Sequence, residues 1–163
     1  MRIAIGSDER SHLTDFVEEE LRRRGFDVRS FGPLAGQPQA WPEVAQAVAE
    51  SVAAEDAEEG ILFCWTGTGV SMAANKVPGV RAALCGDAET ARGARAWNQA
   101  NVLCLSLRST SETIAKEVLD AWFSASADPG EAENVKRVNA MDDRYRRPRL
   151  QGLSSNKGEK GSG

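Results

Sequence analysis

The sequence predicts an α/β domain: one parallel sheet of five strands with helices on both faces, followed by a C-terminal helix. Two observations lead there. Short apolar runs alternate along the chain with segments whose apolar residues recur at helical spacing, the mark of successive βαβ units. The length of 163 residues, with 41% apolar and 27% charged residues, suits one soluble domain. A chain of that size buries roughly two-thirds of its unfolded surface and needs no disulfide or metal to hold a core.

The elements follow in order. Arg2-Ile3-Ala4-Ile5-Gly6 reads as a buried strand. Leu13, Phe16, Val17 and Leu21 then recur as one helical face, and Gly25 stops the helix. Residues 26–31 alternate as a second strand, and residues 32–40 form a Pro/Gly-rich loop. Pro42 opens the next helix at its first position, with Val44, Ala45, Val48 and Val52 as its apolar stripe. Residues 60–64 form the third strand, followed directly by a glycine-rich loop and a short helix over about 69–76. Residues 80–85 are the fourth strand, and Asp87 caps a helix that runs to Trp97. Residues 101–105 are the fifth strand. Ser109 and Glu112 have capping-box spacing before a helix carrying Ile114, Val118, Leu119 and Trp122. A last helix covers about 131–146. The architecture is a three-layer Rossmann-like domain over residues 1–146. The tail, residues 147–163, is rich in Gly, Ser and Lys and is expected to be disordered.

Composition excludes several classes of function. The net charge of -4 gives no overall attraction for nucleic acid or anionic lipid. Arg144, Arg146, Arg147 and Arg149 form a local basic cluster, read as a solvated terminus rather than a nucleic-acid tail. No run approaches the ~20 apolar residues of a membrane span, and the N-terminal run is too short for a signal peptide. Cys64, Cys85 and Cys104 make an odd count without CxxC spacing, which points to a reducing, cytoplasmic compartment. With one histidine, His12, the chain has poor material for a zinc site. His12, at the start of the first helix, is read as exposed or packed.

In an open parallel sheet, ligands bind beyond the carboxyl ends of the strands. Three such ends carry polar residues here: Ser7-Asp8-Glu9, Cys64 to Ser71, and Arg108. Thr66-Gly67-Thr68-Gly69, between a strand and a helix, lets backbone N–H groups come close to an anion. The same field favours a thiolate at Cys64. A thiolate beside such donors could take a proton α to a carbonyl while the donors hold the enediolate oxygen. Spacing alone leaves a plainer reading open, in which Cys64 is a core cysteine and the glycines make a tight turn. The loop matches neither GxxxxGK[ST] nor GxGxxG.

The stretch Gly60-Ile61-Leu62-Phe63-Cys64, Thr66-Gly67-Thr68-Gly69, Ala73-Ala74-Asn75-Lys76 and Gly79-Val80-Arg81-Ala82-Ala83-Leu84-Cys85 resembles the family of type-B ribose-5-phosphate isomerases and galactose-6-phosphate isomerase subunits. Asn98, Asn101-Val102-Leu103, Arg108 and Asp120-Ala121-Trp122 extend the likeness, which runs from Arg2 to about Trp122. The resemblance implies aldose–ketose isomerisation of a sugar phosphate without metal or organic cofactor. It also implies a homodimer, possibly paired into a tetramer, whose sites are shared between chains. By position, Cys64 would be the base that moves a proton between C1 and C2. Thr66 and the amides of Gly67, Thr68, Gly69, Val70 and Ser71 would stabilise the enediolate. Asp8 and Asn98 would bind the sugar, and Arg108 and Arg137 the phosphate, with Arg10 and Lys136 nearby in sequence.

The departures concentrate in the site. Glu9 stands where the family has histidine, Trp65 replaces the first loop glycine, and Trp97 replaces the ring-opening histidine. Ala40-Trp41-Pro42 stands for Asp-Tyr-Pro, and Glu133 and Asn134 fall where Arg and His are expected. An indole cannot exchange protons as imidazole does, so Trp97 should not open a furanose ring. Trp41, Trp65 and Trp97 are expected around one pocket, either as site walls or as core or interface aromatics. Glu9 and Glu133 would repel a phosphate at close range. The expectations are therefore an isomerase for an open-chain or atypical sugar phosphate such as a tetrose 4-phosphate, an isomerase of a non-phosphorylated sugar, or a non-catalytic sugar-binding relative. Cys85 and Cys104 are expected in the core.

Overall fold

A computed structural model describes residues 1–145; the expected tail at 147–163 and Arg146, Arg147 and Arg149 lie outside the described residues. Five strands, β1 (Arg2–Ser7), β2 (Asp27–Phe31), β3 (Glu59–Cys64), β4 (Ala82–Leu84) and β5 (Val102–Ser106), form one sheet in the order β2-β1-β3-β5-β4. Every pairing is parallel. The helices are α1 (His12–Arg23), α2 (Trp41–Ala53), α3 (Thr68–Ala74), α4 (Ala88–Ala96), α5 (Glu112–Ser124) and α6 (Ala132–Tyr145).

Strand alternation divides the core between the two faces. Ile3, Ile5, Ile61, Phe63, Leu103 and Leu105 point to one side and pack with α1, α4 and α5 around the fully buried Trp122. Ala4, Leu62, Cys64, Val102 and Cys104 point to the other, against Val44, Val48 and Val52 of α2 and Val70 of α3. Glycines bring α2 close to the sheet: a Cβ on Gly6 would stand 2.6 Å from Val44, and one on Gly60 2.9 Å from Val48.

Most element ends shift by a residue or two from the sequence reading, and three of the differences bear on local chemistry. Trp41, not Pro42, is the first residue of α2, which puts the proline one position in. The α5 cap is Ser111, whose side chain accepts from the Ile114 amide. Ser109 lies in the preceding turn, where its own amide donates to Ser106 Oγ. The fourth strand shrinks to Ala82–Leu84, because the Asn101 and Val102 amides both turn to the Arg81 carbonyl at its entry. Asp87 caps α4 as expected, accepting from the Thr90 amide at 2.7 Å; this bond holds its carboxyl below the usual range.

Candidate active site at the strand switch point

From β1 the chain steps to β2 on one side of the sheet and later to β3 on the other. The carboxyl ends of β1 and β3 therefore diverge, and a crevice opens between the loops that leave them. A cleft of about 300 Å³ lies there, lined by Asp8, Trp41, Cys64, Trp65, Thr66, Thr68 and Gly69. Cys64 ends β3 and is only 6% exposed, yet it forms part of this wall. The core reading and the site reading of Cys64 meet here: its flank packs among core residues while the cleft reaches it.

Backbone bonds fix the loop that carries it. The Cys64 carbonyl accepts from the Gly67 and Leu107 amides, and the Trp65 carbonyl accepts from the Arg108 amide and Ser106 Oγ. The loop is thus tied to the end of β5. Gly67 adopts φ +75°, and a Cβ there would meet Leu84 Cδ1 at 2.5 Å and the Leu105 carbonyl at 3.0 Å, so only glycine fits. Of the five expected loop amides, two are occupied: Gly67 donates to Cys64 and Ser71 to Gly67. Among the described residues, those of Thr68, Gly69 and Val70 have no backbone acceptor, and no side chain caps the start of α3. Thr66 Oγ1 and Thr68 Oγ1 are paired at 2.7 Å beside them.

Asp8 follows β1 and contributes the one ionisable carboxylate of the cleft lining. Its Oδ1 is buried and has no hydrogen-bond partner among the described residues. Buried acceptors are almost always paired, so this oxygen is a ready receptor for a hydroxyl. Trp41 lies flat over Gly69, where a Cβ would come within 3.1 Å of its ring, and Trp65 is 60% exposed at the rim.

The other expected site residues stand elsewhere. The Val70 side chain is in the core, which leaves its amide alone for binding. Ser71 is half-buried, and its amide is already taken by the Gly67 carbonyl. Glu9 is exposed and outside the cleft lining, its amide on Ser7 Oγ. Trp97 does not share the pocket of Trp41 and Trp65. It folds over Gly93 of its own helix and lines a second cavity of about 320 Å³, together with Asn98, Asn75, Arg81 and Asn134. Arg108 and Arg137 are exposed; the first is joined to the loop only through its amide, the second reaches Asn134 on its own helix. Arg10 is engaged by Asp15 and Glu18, and Lys136 by Glu133, so neither is a spare cation. His12 is exposed at the start of α1. Cys85 and Cys104 are core residues as expected; burial pushes the Cys85 thiol up to about 12 and raises that of Cys104 further.

A family model described as Ribose/Galactose Isomerase matches residues 3–141. The chain belongs to the ribose/galactose isomerase family. It is an aldose–ketose isomerase. Among curated proteins it is 35% identical over 142 residues to D-erythrulose-4-phosphate isomerase of Pectobacterium atrosepticum, covering 85% of this chain and 93% of that one. It is 34% identical over 148 residues to ribose-5-phosphate isomerase B of Escherichia coli, covering 88% and 97%. Among solved structures, ribose-5-phosphate isomerase B of Clostridium thermocellum superposes with a TM-score of 0.83 at 35% identity, covering 89% and 99%. The ribose/galactose isomerase fold thus accounts for the sheet and both its helical layers.

Two residues of this isomerase had no role in the sequence reading. Asn75 binds the Ala82 amide and carbonyl at 2.9 Å each, tying the end of α3 to the edge strand. Arg81 ties that edge to α6 and to the turn after α4. The Asn75 bonds cross only seven residues but depend on the tight turn after α3, and the Arg81 partners lie 17 and 58 residues away, so spacing carried no signal of either.

Proposed function

We propose that this cleft isomerises an open-chain sugar phosphate, with a tetrulose 4-phosphate as the substrate, by proton transfer through Cys64. The supporting observation is the set of groups at one cleft: a sulfur, the unoccupied amides of Thr68 and Gly69 with that of Val70 next in the chain, and a buried unpartnered carboxylate oxygen. The Cys64 thiolate takes the proton from the carbon next to the carbonyl. The electron pair moves into the C–C bond and the negative charge to oxygen, where the amides of Thr68, Gly69 and Val70 and the Thr66 hydroxyl hold it. The hydroxyl proton on the adjacent carbon passes to the former carbonyl oxygen, and the same sulfur returns its proton to the former carbonyl carbon, so the C=O bond re-forms one carbon along. Asp8 accepts from a sugar hydroxyl.

A tetrose 4-phosphate has no free O4 to close a furanose ring, so it needs no ring-opening acid. Trp97 in place of an imidazole fits that substrate, as does the likeness to a relative named for D-erythrulose 4-phosphate. The cleft of one chain lacks a cationic side chain in its lining, and Trp97, Asn98 and Arg137 stand apart from it. We place these three in the cleft of a second copy, so that a homodimer completes two sites and Arg137 joins Arg108 at the phosphate. The same shortage of cations within one chain favours, as a second reading, a non-phosphorylated sugar.

Initial rates over tetrose, pentose and hexose phosphates and their free sugars, for wild type and Cys64→Ala, test the proposal. The expected result is fastest turnover of the tetrose phosphate and a loss of about 10²- to 10⁴-fold in kcat on removing the base. Activity untouched by Cys64→Ala removes the sulfur from the mechanism. Turnover of free sugars without competition by inorganic phosphate establishes the second reading instead.

A further inference from the structure

Arg81 enters β4 from the loop at the sheet edge, half-buried, and its guanidinium ties that edge to two further elements, the turn after α4 and α6. Nε is shared between the Asn98 carbonyl at 3.2 Å and the Gln99 carbonyl at 3.0 Å. Nη2 donates to the Gln99 carbonyl at 2.7 Å, and Nη1 to Asn139 Oδ1 of α6 at 3.1 Å. Its backbone closes the same turn: the Arg81 amide donates to Asn101 Oδ1 at 2.7 Å, and the Asn101 amide to the Arg81 carbonyl at 3.0 Å. The turn needs this support. Gln99 sits at φ +48°, a left-handed conformation that costs a non-glycine residue energy and persists only when neighbours enforce it.

We infer that Arg81 is a positioning residue for substrate binding, holding Asn98 and α6 at a fixed spacing through the Asn98 and Gln99 carbonyls and Asn139. A guanidinium can do this because its planar fork reaches carbonyls on one side and an amide oxygen on the other; a lysine ammonium has no such fork. The inference rests on the proposed placement of Asn98 in the site.

The test is steady-state kinetics on D-erythrulose 4-phosphate for Arg81→Ala, Arg81→Lys, Asn98→Ala and the double variant Arg81→Ala/Asn98→Ala. The expected result is a rise in KM of about 10-fold for Arg81→Ala with kcat changed less than about 3-fold, because the Cys64 loop keeps its own backbone bonds. Arg81→Lys recovers only part of the KM, and the double variant has a KM no higher than that of the worse single one, as expected for two residues acting through one contact. An unaffected KM in Asn98→Ala shows that Asn98 is not in the site, and overturns the proposed placement and this inference together. A raised KM in Asn98→Ala with a normal KM in the Arg81 variants, or fully multiplicative effects in the double variant, overturns this inference alone. If Arg81→Ala does not fold, Arg81→Lys with Asn98→Ala carries the same cycle.

Discussion

Two carboxylates at opposite ends of the paired strands β1 and β3 are treated in opposite ways. At the amino end, Glu59 is buried and saturated. Its Oε1 meets Arg95 Nη2 at 2.6 Å, its Oε2 accepts from Trp122 Nε1, and the Arg95 guanidinium lies 5.2 Å from the Trp122 ring centre. Within that cluster only Arg95 Nε is left unpartnered. At the carboxyl end, Asp8 keeps a buried oxygen with no donor, beside three amides with no acceptor. The difference separates stability from chemistry. Polar groups that are paired on folding fasten β3 to α4 and α5, while groups left unpaired at the switch point are available to a substrate.

The largest effect should follow from breaking the paired end. Glu59→Ala leaves the Arg95 charge half-buried and unneutralised, and denaturant unfolding should show a loss of about 3–5 kcal/mol. The folded fraction should retain its isomerase kcat. A normal unfolding midpoint would erase the distinction between the two ends. pH sharpens the point. Burial raises the Glu59 carboxyl above the ordinary value of 4.5, against the opposing pull of Arg95 and Trp122. A raised carboxyl binds its proton more readily folded than unfolded, so its contribution to stability falls as pH rises from 4.5 through the folded value. Stability of wild type minus that of Glu59→Gln, measured by denaturation across this range, should therefore grow on acidification toward 4.5. A difference that shrinks would mean that the Arg95 pairing outweighs desolvation.

Asp8→Asn probes the unpaired end. The isosteric amide removes the charged acceptor, and kcat/KM should fall by about 10- to 100-fold, the worth of a hydrogen bond to a charged group. Stability should stay within about 0.5 kcal/mol, because no folded-state bond at Oδ1 is lost. A large stability loss with intact turnover would make Asp8 a structural residue like Glu59.

Much of this contrast was legible in the sequence, for a reason that is local. Asp8 and Cys64 each end an apolar run, and in a parallel sheet every strand's carboxyl end faces the same way, so both had to lie on one rim. What could not be read is lateral order. The fully buried pattern of β5 against the half-exposed β4 suits a central strand beside an edge strand, but the chain meets β4 first. The end of α4 misses the cleft for a different reason: a helix that follows a parallel strand returns to the amino end of the sheet, so Trp97 and Asn98 lie beside the entries of β4 and β5, at the end away from the cleft. The α5 cap failed on a smaller ambiguity. Ser109 and Ser111 both have capping chemistry, and the choice is made by Ser106 Oγ, which occupies the Ser109 amide. The pairing of Glu59 with Arg95 and Trp122 joins residues that no spacing rule connects.

The smallest effects divide the two glycines of the loop in the same way as the two carboxylates. At Gly67 a methyl group would need φ +75° and would press on the Leu105 carbonyl, which backbone cannot yield. Gly67→Ala should cost about 1–3 kcal/mol in unfolding free energy, with loss of activity following from the displaced loop. At Gly69 the backbone is ordinary, and the nearest atoms to a methyl would be those of the Trp41 ring at 3.1–3.3 Å, a residue 42% exposed and able to swing outward. Gly69→Ala should leave the unfolding midpoint nearly unchanged, within about 0.5 kcal/mol, and raise KM a few-fold as the indole shifts over the cleft. The opposite pattern, a stable Gly67→Ala and an unfolding Gly69→Ala, would mean that Trp41 packing rather than the Leu105 contact sets the loop, and would make the Trp41 wall part of the fold instead of part of the site.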